Sequence, residues 1–279
     1  MPWEFSGDVE TYAGRVWGLL TGDPVEHVLA LRVLESARAG HRWSEQDMLF
    51  GWYDDGGRVR GAVSLTPPYE LLLAAVPDDT VAELVAALRG RAVAVPGLHG
   101  PVRTVERFVA AWFAGAGSAA TAVKRLRLYA LGRLVPPEPA PPGEARPAGD
   151  EDLDLALDWM RAFARDVDAP TTSAEPAVRR QIDEGRLWLW LDNARRPVAL
   201  AARSTTAAGV IGLAPVYTPP RHRRRGYGSA VTAACTADAL RHAERVVLFT
   251  DLANPTANSI YQQLGYRPVS DRHVVRFDR

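Results

Sequence analysis

The segment "VPPEPAPPGEARP", from Val135 to Pro147, limits what this chain can fold into more than any other. Proline fixes φ and has no backbone N–H, so such a stretch can be neither a helix nor a central strand. It reads as a stiff, extended, solvated interdomain linker. It divides the 279 residues into nearly equal halves, a length that suits two domains better than one. The expected organisation is a domain over 1–134, the linker over 135–147 and a second domain over 148–279.

The second half alternates helices and strands. Between Asp150 and Val167, Leu153, Leu157, Met160 and Phe163 recur at helical spacing behind capping acids. A short helix follows near "SAEPAVRRQIDEG", with Ser173 as its N-cap candidate. Strands are predicted at Leu187–Asp192, Pro197–Thr205 and Val210–Thr218. Then come a helix in "SAVTAACTADALRHAE", a strand at Val246–Thr250 and a helix from Pro255 to Leu264, ended by Gly265. A last strand pair is predicted in "YRPV" and "HVVRFD". The first half echoes this: Trp52–Thr66 aligns with Trp190–Ser204 at a constant offset, setting Asp54 on Asp192. Any hairpin has this look, but a linker between equal halves favours an internal repeat.

Acidic and basic residues balance at 33 each, which argues against a surface built wholly for nucleic acid or anionic membrane. Cys235 is the only cysteine, so an intrachain disulfide and a cysteine-based metal cage are both excluded. No apolar run is long enough to span a membrane, and "MPWEFSGDVE" has no signal core. A soluble, cytoplasmic protein is expected.

The most informative segment is "PVYTPPRHRRRGYGSA". An apolar strand ends at Val216, Tyr217 and Thr218, and Pro219 and Pro220 stop it. Arg223, Arg224, Arg225, Gly226, Tyr227, Gly228 and Ser229 then lead into a helix. A helix start offers unpaired N–H groups and partial positive charge. Glycine lets a ligand approach the backbone, and arginine adds charge-assisted bonds. The unit suits a pyrophosphate. A Walker loop would need lysine before the helix, and a dinucleotide fingerprint would need a third glycine. A nucleic-acid patch would need interleaved aromatics and more basic stretches.

These residues resemble the GNAT superfamily of acyl-CoA-dependent N-acyltransferases. Its motif Arg/Gln-x-x-Gly-x-Gly/Ala is matched by Arg223, Gly226 and Gly228. Downstream, "NPTANSIYQQLGYRPV" is similar to its second hallmark at Asn254, Asn258, Tyr261, Gly265 and Tyr266. The two motifs stand in the right order, and the resemblance covers about 145–279. It implies an α/β (α+β) fold of two GNAT-like domains, each a mixed, mostly antiparallel twisted sheet flanked by helices.

The resemblance also implies roles. Main-chain atoms of Val216, Tyr217 and Thr218 would pair with the pantetheine arm of acetyl-CoA, and a backbone N–H near Val216 would polarise the thioester carbonyl. The loop from Arg223 to Ser229 would hold the pyrophosphate, and Asn254 or Asn258 would contact the cofactor arm. Tyr261 would protonate the leaving thiolate; the alternative is that it packs in the core beside Leu264. The acceptor would be a primary amine on a small molecule. No general base stands out among Asp166, Asp168, Glu175 and Ser204, and a water relay is an alternative. His222 and His273 lack metal-ligand company, so no metal is expected. In the first half the corresponding loop reads "AAVPDDTVAELVAALRG", where Asp78 and Asp79 would repel a pyrophosphate. That half is expected to have lost cofactor binding. Trp52, Tyr53, Tyr69 and Trp112 are candidates for an acceptor pocket or for core.

Overall fold

The computed structural model describes residues 3–114, 120–168 and 175–277, which leaves Ser173 outside the described residues. The chain divides into two compact units. The first comprises Met1–Leu128, Asp251–Ala253 and Ser270–Arg279; the second comprises Tyr129–Thr250 and Asn254–Val269.

The first unit contains β1 (Trp3–Ser6), α1 (Val9–Thr21), α2 (Val28–Arg38), β2 (Leu49–Asp55), β3 (Arg58–Leu65), β4 (Leu71–Ala75), α3 (Val81–Gly90), β5 (Gly97–Pro101) and α4 (Val102–Trp112). Strand β6 (Ala120–Leu131) carries the chain out of it. The sheet order is β1-β2-β3-β4-β5, antiparallel except for the parallel pair β4/β5. Gly56 and Gly57, both at positive φ, close the β2–β3 hairpin. Trp52 is buried, while Tyr53 and Trp112 pack half-buried against the core of Val63, Leu73, Leu84, Leu98 and Phe108.

The second unit contains β7 (Glu144–Pro147), α5 (Leu153–Asp166), α6 (Glu175–Asp183), β8 (Leu187–Leu191), β9 (Pro197–Arg203), β10 (Val210–Tyr217), α7 (Tyr227–Ala239), β11 (Arg245–Asp251) and α8 (Pro255–Gln263). Its order is β7-β8-β9-β10-β11, antiparallel except for the parallel pair β10/β11. Val231 and Cys235 of α7 cover one face, against Ala199, Ile211 and Val246. Leu157 and Met160 of α5 cover the other, against Leu189 and Leu200. Burial on both faces explains why "LWLWL" and "VALAA" are continuous apolar runs instead of alternating ones. The succession hairpin, third antiparallel strand, helix, parallel strand occurs in both units. Each is a mixed, mostly antiparallel sheet flanked by helices, as expected.

Two features differ from the sequence expectation. The C-terminal "YRPV" and "HVVRFD" do not form a strand pair but one continuous strand, β12 (Tyr266–Phe277). The intervening Ser-Asp-Arg has no glycine or proline to turn the chain. From Arg272 to Arg276 it pairs antiparallel with β5, within the first unit. There Arg272, fully buried, donates to the Glu26 carboxylate at 2.7 Å and to the Glu26 carbonyl at 2.6 Å. Arg276 donates to Glu70 at 3.0 Å. The proline-rich segment 135–147 lies inside the second unit, and Glu144–Pro147 is a strand paired with β8. The carbonyl of Pro142 accepts from the Trp190 indole at 3.1 Å.

Cys235 is completely buried on α7, and desolvation pushes its thiol well above the usual value. A thiol reagent such as dithiobisnitrobenzoate is expected to modify it only after denaturation; rapid modification of folded protein would contradict this placement. Among the described residues no helix is long and apolar enough to cross a membrane.

Candidate active site

The site begins where two parallel strands part. Strands β10 and β11 pair from Val210↔Arg245 to Leu213↔Leu248, and there the ladder stops. Both continue, β10 to Tyr217 and β11 to Asp251. On the other side β10 stays paired with β9 through a bulge between Leu213 and Val216. Pro215 supplies a local reason, since it has no N–H to give a ladder. Beyond Leu213 the edge of β10 that faced β11 therefore keeps main-chain polar groups without ladder partners. The side chains here are committed elsewhere: Val216 packs on the α7 side and Tyr217 on the α5 side, its ring 6.1 Å from that of Trp159. Only backbone remains to meet a ligand along this edge.

The chain leaves β10 through a single 3-10 turn, Pro220–His222, and enters α7 at Gly226. Arg224 has φ 61° and Gly226 φ 79°, both left-handed. The first helical bond runs from Ala230 N to Gly226 O, and no side chain caps the helix. The N–H groups of Tyr227, Gly228 and Ser229 thus have no acceptor within the helix. A Cβ on Gly228 would lie 3.2 Å from the Thr218 hydroxyl, so glycine lets the helix start press against the strand end. Arg224 and Arg225 are exposed beside it. Burial first, then Arg221 and Arg225, holds the His222 imidazole below its usual pKa, and its Nε2 accepts from Arg221. The donor set fits a pyrophosphate: convergent N–H groups, a close-packed glycine and two free-standing arginines.

Arg223 does not join that set. It donates to the Thr218 carbonyl at 2.9 Å and to Asp166 at 2.6 Å, and its guanidinium lies 6.0 Å from the Tyr217 ring centre. The motif arginine ties the loop to its own strand end and to the end of α5. It also occupies the carbonyl of Thr218, which takes that acceptor out of the open edge.

Helix α8 carries the second group of expected residues. Asn254 is its N-cap, with Oδ1 accepting from Ala257 N at 3.0 Å. Asn258 is buried, donates to the Asn254 carbonyl and accepts from the Tyr129 hydroxyl at 3.0 Å. Gln262 donates to the same hydroxyl at 3.1 Å. Both asparagines are engaged in building the helix and its anchorage. Tyr261 is half-buried and packs against the core of the second unit, its ring 6.1 Å from that of Tyr266. Burial pushes its phenol up to about 12.

Residues 193–275 match the family model described as FR47-like protein. No curated protein sequence matches the chain. Similar solved structures include a GNAT-family acetyltransferase from Colwellia psychrerythraea, at 11% identity and TM-score 0.63 over 100% of each chain. A Drosophila protein aligns over 99% of this chain and 98% of its own, at 13% identity and TM-score 0.72. A tandem GNAT protein from the clavulanic acid biosynthesis pathway aligns over 98% and 97%, at 15% identity and TM-score 0.53. The fold is that of the GNAT acetyltransferases.

Within this GNAT fold the candidate bases are spoken for. Asp166 pairs with Arg223 and Glu175 with Arg179 at 2.9 Å. The Ser204 hydroxyl donates to Thr205 O and accepts from Gly212 N. Asp168 follows the end of α5 at φ 46°. Among the described residues no group of three His, Cys, Asp or Glu side chains could hold a metal. In the first unit Asp78–Thr80 form a 3-10 turn before α3, and Asp78 pairs with Arg103 at 2.8 Å and Arg107 at 3.6 Å. The sequence did not point to Tyr129, which anchors α8 from 129 positions away. Pro215, which sits at the parting of the strands, was readable as a ladder breaker.

Proposed function

We propose that the protein transfers an acetyl group from acetyl-CoA to a primary amine of a small molecule, by direct attack in a ternary complex. The parting of β10 from β11 beside an uncapped α7 carries this reading. The GNAT fold suggests the acyl-CoA-dependent class; the acceptor and the residue roles are our own assignment. The main chain of Val216 and Tyr217 pairs with the pantetheine arm as an added strand would. The N–H groups from Tyr227 to Ser229, with Arg224 and Arg225, hold the pyrophosphate. Bound acetyl-CoA supplies an electrophilic thioester carbonyl and a thiolate leaving group. The Val216 N–H, the first donor after Pro215, polarises that carbonyl.

Tyr261 holds a proton for the departing sulfur. With its phenol pushed up to about 12, it stays protonated throughout the physiological range. A free thiol titrates near ~8.5, so full transfer from Tyr261 is uphill and must accompany C–S cleavage. The amine sheds its proton to water, since the candidate carboxylates Asp166 and Glu175 are paired. The first unit, with Asp78 and its arginine partners before α3, holds no second acetyl-CoA. We read it as the degenerate half of a tandem protein, and a cytoplasmic setting accords with a single buried thiol.

The rival is an acyl-CoA sensor without turnover, favoured by the high phenol pKa and by the pairing of the candidate bases Asp166 and Glu175. Thiol release from acetyl-CoA across a panel of primary amines separates the two. We expect release with at least one amine, and Tyr261→Phe lowering kcat by about 100-fold with KM for acetyl-CoA little changed. Binding without release from any amine would leave the sensor. Equal kcat in parent and variant would remove Tyr261 from the mechanism.

A further inference from the structure

Among the described residues no hydrogen bond restrains the Tyr261 hydroxyl; burial is the cause of its raised phenol. Its place is therefore set by where α8 carries it and by the rings around it. Tyr266 is one of these rings. It is held in turn by a 2.7 Å bond between its hydroxyl and that of Thr236 on α7, both completely buried. The remaining freedom is that of the helix. With its side chains a helix is about 10–12 Å wide, so turning it by about 10° moves a surface atom by about 1 Å.

One buried hydroxyl opposes that rotation. Asn254, Asn258 and Gln262 recur at every fourth residue from the N-cap and form one row along α8. Tyr261 flanks the row, one residue from Gln262 and three from Asn258. Tyr129 of β6 meets the row at two successive turns. Its hydroxyl donates to Asn258 Oδ1 at 3.0 Å and accepts from Gln262 Nε2 at 3.1 Å. An amide oxygen only accepts and an amide nitrogen only donates, so the two bonds fix the direction of the phenol proton. Asn258 Nδ2 then donates to the Asn254 carbonyl at 2.8 Å, and Asn254 caps the helix start. The restraint thus runs from the last turn of α8 to its first. Main-chain bonds hold the far end: Val135 N donates to Leu264 O and Gly132 N to Gly265 O, each at 3.0 Å. These fix where the helix ends, whereas the side-chain row fixes how it is turned.

We propose that Tyr129 is a positioning residue for the acid step: its hydroxyl sets the rotation of α8 and so holds the Tyr261 hydroxyl where the thiolate departs. The inference rests on the acetyl-transfer reading above, with Tyr261 as its acid. Tyr129 is completely buried in the apolar core that includes Leu248 and Leu264. Phenylalanine would fill the same space there without the cost of burying a hydroxyl, so the hydroxyl is explained by the bonds it makes.

Thiol release with the most active amine of the panel tests this in the full chain, comparing the parent, Tyr129→Phe, Tyr261→Phe and the double variant. Tyr129→Phe is expected to lower kcat about tenfold, with KM for acetyl-CoA within about twofold of the parent. In the Tyr261→Phe background the same substitution should cost nothing further, because the group it positions is gone. Gln262→Met removes one of the two bonds at an exposed position and should lower kcat about threefold, which keeps the test valid if Tyr129→Phe fails to fold. Amide hydrogen exchange over residues 254–264 should quicken in Tyr129→Phe, a readout that does not need turnover. The proposal is overturned by equal losses in both backgrounds, by a rise in KM with kcat unchanged, by unchanged exchange, or by parental kcat in Tyr129→Phe while Tyr261→Phe is slow. No thiol release by the parent, or parental kcat in Tyr261→Phe, marks instead a failure of the acetyl-transfer reading or of its acid, and the role of Tyr129 falls with it.

Discussion

Glutamate at position 226 is expected to lower acetyl-CoA affinity by more than about 100-fold while the second unit stays folded. Gly226 sits at φ 79°, where a side chain costs about 1–2 kcal/mol. Its Cβ would stand 3.4 Å from the Pro141 ring, close but without a clash. An acidic group at a helix start is itself favourable, which offsets part of the strain. The same carboxylate lies where the pyrophosphate must, so the loss falls on binding. Gly226→Ala separates the effects, because it carries the backbone strain without the charge and should bind within about tenfold of the parent. Titration of acetyl-CoA against all three proteins, with thermal midpoints, reads the result. Parental affinity in Gly226→Glu would mean that the pyrophosphate does not sit at the start of α7.

Asp238→Ala is expected to destabilise the second unit by about 3–5 kcal/mol, lowering its thermal midpoint by on the order of 10 °C. Arg203 of β9 and Asp238 of α7 form a 2.6 Å pair with side chains 8% and 6% exposed. Arg241 adds a second bond to the same carboxylate at 2.5 Å. Removing the acid leaves the Arg203 guanidinium buried without its counter-charge, a cost far above that of a surface pair. The double variant Arg203→Met, Asp238→Leu should recover most of the loss, since an apolar pair needs no desolvated charge. If the double variant is no more stable than Asp238→Ala, packing and not charge explains the defect. Burial alone would raise the Asp238 carboxyl, but the bonds from Arg203 and Arg241 outweigh it and hold it below the usual range. The stability it contributes is therefore present above an unfolded pKa of ~3.9 and is lost as pH falls through the lower folded value. An acid titration should show that loss in the parent and not in the double variant.

The candidate site was legible in part. Gly226 and Gly228 stand where the loop needs them, one for its φ and the other for its contact with Thr218. Arg223, Asn254 and Asn258 were read as ligand contacts because they fill motif positions. The structure gives each of them a partner inside the protein: Asp166 and Thr218, Ala257, and Tyr129. A motif position records that a residue type is required, and scaffolding and ligand contact are equally good reasons for it. The proline-rich segment was read as a boundary between domains because its backbone excludes helix and central strand. That exclusion holds, yet the segment belongs to the second unit and its last residues add a strand to β8.

The sequence by itself determined most elements of the second half, the β2–β3 hairpin of the first, the glycine loop at a helix start and the apolar strand before it. These depend on periodicity and backbone freedom within a few neighbouring residues. Only the tertiary structure decided that β10 and β11 pair for four residues and then part, that β12 runs on to lie against β5, and that the Tyr129 hydroxyl meets α8. Each of these is set by register and packing between segments far apart in the chain. Such contacts form only when the folded units bring the segments together, and the local pattern of neither partner encodes them alone.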